Sequence, residues 1–472
     1  MRELELLLTR RNILHGISAS ALASIGGCAA LENAAQSPPS ASEVERIAYE
    51  AYIWGYPLVV MERTRLRGLY KPSDGVAGET NKLKHFRALL NWRNRTVVMP
   101  NADTLYSSAW LDLSQGPMVL SVPALSGAMD RYYSYQLMDW YTNTVGYVGT
   151  RTVGKGASRT LIAGPQWNGA LPTGMRLQRC PTNKAWLLGR TLVDNPKDLS
   201  GPRALQEATL LESLDASRNI DWKETKPENV ESPQSPKSRG IAFFDELAAQ
   251  LVGNLPPSAD RKVLERFGLI GIAPGAVVSV WLKERKLDAA ALAGIEAADR
   301  DINIWASTQA SSANGWYTEV VGAYGTDYPL RARTARSGLA ALTGEEAKYF
   351  HLVKDLDGNT LMGTNAYTLT IDPTMLPPVG GFWSLSVYSN KDFFPAVNAA
   401  IDRFSISDRT PGIRRNPDNS ITIVVSSRPP TDTANWIPAP EGELKLGFRA
   451  YGTSGTHDEF RKALPMPKRV VS

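Results

Sequence analysis

Two cysteines, Cys28 and Cys180, and four histidines are all that 472 residues supply of the groups that build disulfide frameworks and zinc sites. If Cys28 takes the lipid described below, Cys180 has no partner within the chain, and a disulfide scaffold is excluded. His85, His351 and His457 lie far apart, without HxxxH, HExxH or CxxC spacing. No metal site and no cofactor are therefore expected. A Gly-rich phosphate loop and a G-x-S-x-G nucleophile elbow are missing too. No apolar run after residue 28 approaches the roughly 20 residues that cross a bilayer. The formal net charge is a mild +5 with no dense Lys/Arg cluster, which argues against nucleic acid as a partner.

What the chain does carry begins at its start. Residues 9–28 read TRRNILHGISASALASIGGC. Arg10 and Arg11 precede a short, weakly apolar run from Ile13 to Ile25, and small residues lead into Cys28. A charged start, a short apolar middle and a small-residue end describe an export signal. The arginine pair suits the twin-arginine route, and Ile-Gly-Gly-Cys resembles a lipobox whose thiol takes a lipid after cleavage. The expectation is a periplasmic or outer-membrane-tethered lipoprotein, joined to the membrane only through Cys28. Cleavage near Ala29-Ala30 without lipid is the alternative. Residues 31–42 (LENAAQSPPSAS) read as a tether.

Beyond the tether, residues 42–68 carry apolar side chains at helical spacing, opened by Ser42 and Glu45 and interrupted by Pro57, which should kink or split the helix. From Thr96 to Leu192 short runs rich in Val, Tyr, Leu and Trp alternate with Gly, Pro and Asn, the texture of an antiparallel sandwich. Helical texture occupies 202–345, broken at 222–240 by the charged, Pro/Ser-rich stretch WKETKPENVESPQSPKSRG. Strand texture returns from Ala347 onward. Two β modules with a helical layer between them, an α+β multidomain chain, is the economical arrangement.

The β segments also carry a recognisable pattern. LPPVGGFWSLSVYS, RFSISDRTPGI, NPDNSITIVVSS and NWIPAPEGELKLGFRAYG strongly resemble the domain of unknown function numbered 1214. MPNADTLYSSAWLDLSQGPMVLSVP and RYYSYQLMDWYTNTVGYVGTR resemble its usual partner, the domain numbered 1254, and residues 314–335 fit the segment linking the two. The resemblance implies an immunoglobulin-like β-sandwich, a helical middle region and a C-terminal jelly-roll-like β-sandwich, in exported bacterial proteins. It supplies no chemistry and no catalytic residue. The expected organisation is a leader at 1–27, a tether at 28–42, a helical segment at 43–90, the first sandwich at 91–200, a helical region at 201–345 with a disordered loop at 222–240, and the second sandwich at 346–472.

Two polar constellations stand out. Asn101, Asp103 and Leu105 share a strand face, followed by Tyr106. Asn101 and Asp103 either point into a pocket or satisfy local backbone in an Asx turn. In the second, Tyr133, Tyr135 and Leu137 alternate with Tyr132, Ser134 and Gln136, and Asp139, Tyr141 and Asn143 follow. Rings beside amides and carboxylates suit a sugar or an aromatic small molecule, and equally a sheet core with satisfied hydroxyls. Arg151 and Arg190 end strand-like runs and can pair with Asp103 or Asp139 or clamp a substrate carboxylate. Arg403, Arg449 and Tyr451 are the C-terminal polar residues expected to face a cleft.

Three readings follow. The first is a metal-independent hydrolase with Asp103, Asp139 and Tyr133 as catalytic groups, and Asn101, Tyr106, Gln136, Tyr141, Asn143, Arg151 and Arg190 on the substrate. The second is a non-catalytic binder of a small molecule or glycan. The third is an envelope assembly protein, with homo-oligomerisation open in each case. The hydrolase reading requires Asp103, Asp139 and an arginine to converge in one polar pocket.

Overall fold

The computed structural model describes residues 39–470 apart from 73, 96–97, 216–225, 234, 308–313, 319 and 398–400. Arg10, Arg11 and Cys28, on which the export expectation rests, lie outside the described residues, as do residues 222–225 of the expected disordered loop.

A first sandwich is built from two sheets. One is five-stranded and antiparallel, in the order Lys84–His85, Thr104–Asp112, Lys184–Leu192, Tyr133–Asp139, Thr144–Gly149. The other runs Arg176–Arg179, Ser158–Ala163, Met118–Val122, Leu210–Ser213. Between them lies a core that includes Leu111, Leu120, Tyr133, Tyr135, Leu137, Ile162 and Leu187. Gly189 is required here, because a Cβ would press into the Tyr135 ring on the neighbouring strand. The second sandwich pairs the sheet Ala347–Leu352, Leu444–Thr453, Val379–Ser389, Ser405–Ser407 with Trp436–Pro438, Ile421–Ser426, Tyr367–Ile371, Lys468–Arg469. Its core runs from Phe350 and Leu369 to Trp383, Ile423 and Phe448. Among the described residues each sandwich contains a parallel pair, 158–163 with 176–179 and 421–426 with 436–438; in the first this departs from the antiparallel texture of the sequence.

The helical layer is organised by Ala41–Tyr70, a 30-residue helix that packs on Phe243–Leu251, Asp288–Ser307 and Tyr328–Ser337. Pro57 does not split it. That helix is buried along most of its length, and packing on all sides holds together a turn that proline alone would weaken. Its inner surface also covers the outer face of the five-stranded sheet, where Met61 and Leu69 meet Trp110, Met138, Trp140 and Trp186. With both faces covered, Tyr133–Asp139 is buried at every position. The polar-out alternation of a half-exposed strand therefore has no place in it.

Two stretches differ from expectation. The first run of the helical region, ALQEATLLESLDA, is helical only as far as Ala208, since Leu210–Ser213 joins the first sandwich as an edge strand beside Met118–Val122. The described part of 222–240 is pinned rather than loose: the buried Arg63 guanidinium donates to the carbonyls of Ser232, Ser235 and Pro236 and pairs with Glu246 at 2.8 Å.

Candidate functional site

The outer faces of the two sandwiches meet at a cavity of about 220 Å³. Strand alternation decides what it sees. On Thr104–Asp112 the residues Tyr106, Ser108 and Trp110 share one face, and on Lys184–Leu192 so do Trp186, Leu188 and Arg190. These six are cross-strand partners, Tyr106 with Arg190, Ser108 with Leu188 and Trp110 with Trp186, and they form one wall. The Trp110 and Trp186 rings stack at 4.5 Å. The opposing wall comes from the second sandwich, with Tyr349 and His351 on one strand and Lys445, Arg449 and Tyr451 on the next. The C-terminal end of the 328–337 helix, residues 338–341 and residues of the stretches 78–94 and 98–100 add to the lining.

Of the cations that line the cavity, which include Arg333, the side chains of Arg190, Arg449 and Lys445 are withdrawn from solvent: Arg190 is 5% exposed, Arg449 4% and Lys445 2%. Arg190 donates to the carbonyl of Ala340 at 2.7 Å and to Gln136 Oε1 at 3.3 Å. Gln136 is itself held by Thr144 Oγ1 and the Ala341 carbonyl. Arg449 donates to the Tyr388 hydroxyl at 2.7 Å, and that hydroxyl donates to the Pro100 carbonyl. Lys445 Nζ donates to the Ala306 carbonyl. The Nε atoms of Arg190 and Arg449 are buried without a hydrogen-bond partner. Neither guanidinium forms an ion pair with a carboxylate among the described residues. Asp103 lies in the field of Arg449, but its carboxylate pairs with Arg409 at 3.7 Å.

The hydroxyls around the guanidiniums do not balance this charge. Tyr106, Tyr349 and Tyr451 lie in the field of both arginines, and burial raises all three above the ordinary phenol range, so they stay neutral. Burial, with Lys445 and Arg449 nearby, pulls the His351 imidazole down to about 3, which keeps it neutral as well. At the mouth the situation is reversed. Lys82 pairs with Glu79 and Lys84 with Asp74. The outer charges are matched by carboxylates, whereas Arg190 and Arg449 have no carboxylate partner among the described residues.

Of the ten residues singled out from sequence, two line the cavity: Tyr106 and Arg190. Gln136 orients Arg190, and Asn101 donates to the Tyr451 hydroxyl at 3.2 Å. The others are engaged elsewhere. Asn101 Oδ1 accepts from the Asp103 backbone, so the 101–103 segment forms the Asx turn weighed above. Burial raises the Asp103 carboxyl against the pull of Arg409. Asp139 accepts from the backbone of Tyr141 and Asn143 and from the Asn143 amide, and burial pushes it up to about 6. It closes the turn that leaves Tyr133–Asp139 and does not reach the cavity. Tyr133 lies in the sandwich core with its hydroxyl unpartnered. Tyr141 donates to the Asn254 carbonyl and packs against Trp54. Arg151 pairs with Glu346 at 2.7 Å. The convergence of Asp103, Asp139 and an arginine in one pocket is therefore not found: turn capping claims one carboxylate and Arg409 the other. Of the C-terminal residues expected at a cleft, Arg449 and Tyr451 are there, whereas Arg403 is bound to the carbonyls of Thr433, Ala434 and Trp436. Trp110, Trp186, Tyr349 and Lys445 were not singled out from sequence. The signal for them was the period-two spacing Tyr106-x-Ser-x-Trp and Lys445-x-Gly-x-Arg-x-Tyr.

Comparison with known proteins bears on the fold and family. Residues 80–213 match the family described as "Protein of unknown function (DUF1254)", and residues 346–455 match "Protein of unknown function (DUF1214)". No curated protein matches. A crystal structure of a Vibrio parahaemolyticus protein, 21% identical, aligns over 92% of this chain and all of its own with a TM-score of 0.63, which supports the shared fold. An uncharacterised Burkholderia cenocepacia protein, 13% identical, aligns over 91% of this chain and 93% of its own with a TM-score of 0.45. The chain thus carries a segment matching the DUF1254 model followed by one matching the DUF1214 model, and both flank the cavity.

Proposed function

We propose that this chain is an exported envelope protein that binds a small organic molecule in the cavity between its two sandwiches. The observation that carries the reading is the pair of buried arginines, Arg190 and Arg449, on facing walls of an aromatic cavity without carboxylate partners. Buried charge without compensation is expensive, and binding sites are where proteins keep it. The apolar lining of Leu188, Val98, Met99 and Leu339 suits an apolar ligand body better than a hydroxyl-covered glycan. The hydrolase reading has less support, because Asp103, Asp139 and Tyr133 are absent from the lining and Glu79 pairs with Lys82 at the mouth.

Gly338 provides the test. It lines the cavity, and a Cβ there meets nothing closer than the Thr334 carbonyl oxygen at 3.8 Å, so Gly338→Trp, intended to occupy the space, begins without a backbone clash at its Cβ. A thermal-shift screen of small organic acids, amides and alcohols should yield compounds that raise the Tm of the wild type and not of Gly338→Trp. A screen without hits, or hits that stabilise both proteins equally, contradicts the reading.

The export proposal rests on Arg10-Arg11 and the Ile-Gly-Gly-Cys segment. Cells producing the full chain should incorporate radiolabelled palmitate, and Cys28→Ala should abolish the label. Replacing both arginines with lysine should leave the precursor in the cytoplasm. An unlabelled chain with its leader intact in wild-type cells contradicts it.

A further inference from the structure

The chemistry of the cavity narrows its ligand, on the reading that the cavity is a binding site. Arg190 and Arg449 approach it from different domains, each fixed by bonds that use only part of its donor set. Arg190 is held by the Ala340 carbonyl and Gln136, and Arg449 by Tyr388. Each keeps a buried Nε donor without an acceptor. Lys445 adds a third charge on the same wall as Arg449. Across the cavity the stacked indoles of Trp110 and Trp186 offer a flat apolar surface on the same sheet face as Arg190.

We propose that the cavity takes an organic carboxylate with an apolar body, the carboxylate received by Arg190 and Arg449 and the body lying against Trp110 and Trp186. A guanidinium presents paired N–H donors that match the two oxygens of a carboxylate, and such charge-assisted bonds are roughly twice as strong as neutral ones. The anion supplies the charge that no side chain provides, and the indole wall supplies contact area for the rest of the molecule. The neutral state of Tyr106, Tyr349 and Tyr451 adds no negative charge to the inner end, where the Tyr349 and Tyr451 hydroxyls already bond each other at 3.2 Å. Because the two arginines belong to different sandwiches, the bound carboxylate also bridges the domains.

Isothermal titration of the purified protein at neutral pH with benzoate, 2-naphthoate and decanoate, each beside its primary amide, tests this. At least one acid should bind about tenfold or more tightly than its own amide, and tighter by a similar factor than inorganic phosphate, which has charge without a body. Arg190→Met and Arg449→Met should each remove about tenfold or more of the acid's affinity while leaving the amide's unchanged. Should either variant fail to fold, the acid–amide comparison on the wild type decides alone. Amides binding as well as acids, or phosphate as well as the best acid, overturns the carboxylate assignment and leaves the cavity standing as a ligand site. Binding by neither class overturns both.

Discussion

Arg190 and Arg449 show how a residue's neighbours decide whether its charge is structural or functional. Arg63 is just as buried, yet it pairs with Glu246 and binds three carbonyls, which completes its donor set inside the protein. Arg190 and Arg449 have no such closure. His351 sits among these cations, and its depressed pKa has a consequence for stability. The unfolded imidazole takes a proton near 6.5 and the folded one only near 3, so the unfolded state binds more protons between those values. The contribution of His351 to stability is present above pH 6.5 and is lost as the pH falls towards 3. Urea unfolding across this window should show His351→Gln with a shallower acid slope than wild type, by up to one proton or about 1.4 kcal/mol per pH unit. Parallel slopes would contradict the neutral assignment.

Elements explain what could be seen in the sequence and what could not. The principal strands of both sandwiches were legible, because runs such as Trp186–Leu192 and Ile421–Ser426 alternate between turn residues. Short edge strands such as Trp436–Pro438 were not, since three residues carry no period. The face was harder than the strand. The sequence makes Tyr133, Tyr135 and Leu137 look like a ligand wall, but both faces of that sheet are covered, and this one turns into the sandwich core. The ligand wall falls instead to Tyr106, Trp110 and Arg190 on the opposite face. Asp139 misled for a related reason: a carboxylate between aromatics reads as catalytic, while three N–H donors make it a turn cap. Helix packing offers its own test. The Ala41–Tyr70 and Asp288–Ser307 helices touch so closely that a Cβ at Gly294 would run into the Glu45 carbonyl oxygen. Backbone cannot yield as a side chain does, so Gly294→Ala should destabilise by about 1–3 kcal/mol in denaturant unfolding. An unchanged midpoint would show that the two helices slide freely.

At the scale of the molecule, the two sandwiches are tied through buried polar bonds beside a small apolar cluster in which Tyr132, Tyr147 and Leu192 of the first meet Phe382 and Tyr451 of the second. Tyr132 donates to Glu346, which also receives Arg151; Asn101 reaches Tyr451; Tyr388 reaches Pro100; and Arg409 pairs with Asp103. Directional bonds of this kind fix the relative position of two surfaces while leaving space between them, and that space is the cavity. Diffraction from crystals soaked with the tightest-binding carboxylate of the benzoate, naphthoate and decanoate series tests this account most directly. The account predicts density between the walls, with carboxylate oxygens at hydrogen-bond distance from both Arg190 and Arg449 and the body over Trp110 and Trp186. A saturated crystal with the carboxylate bound at any other place, and only solvent between the two arginines, would contradict it.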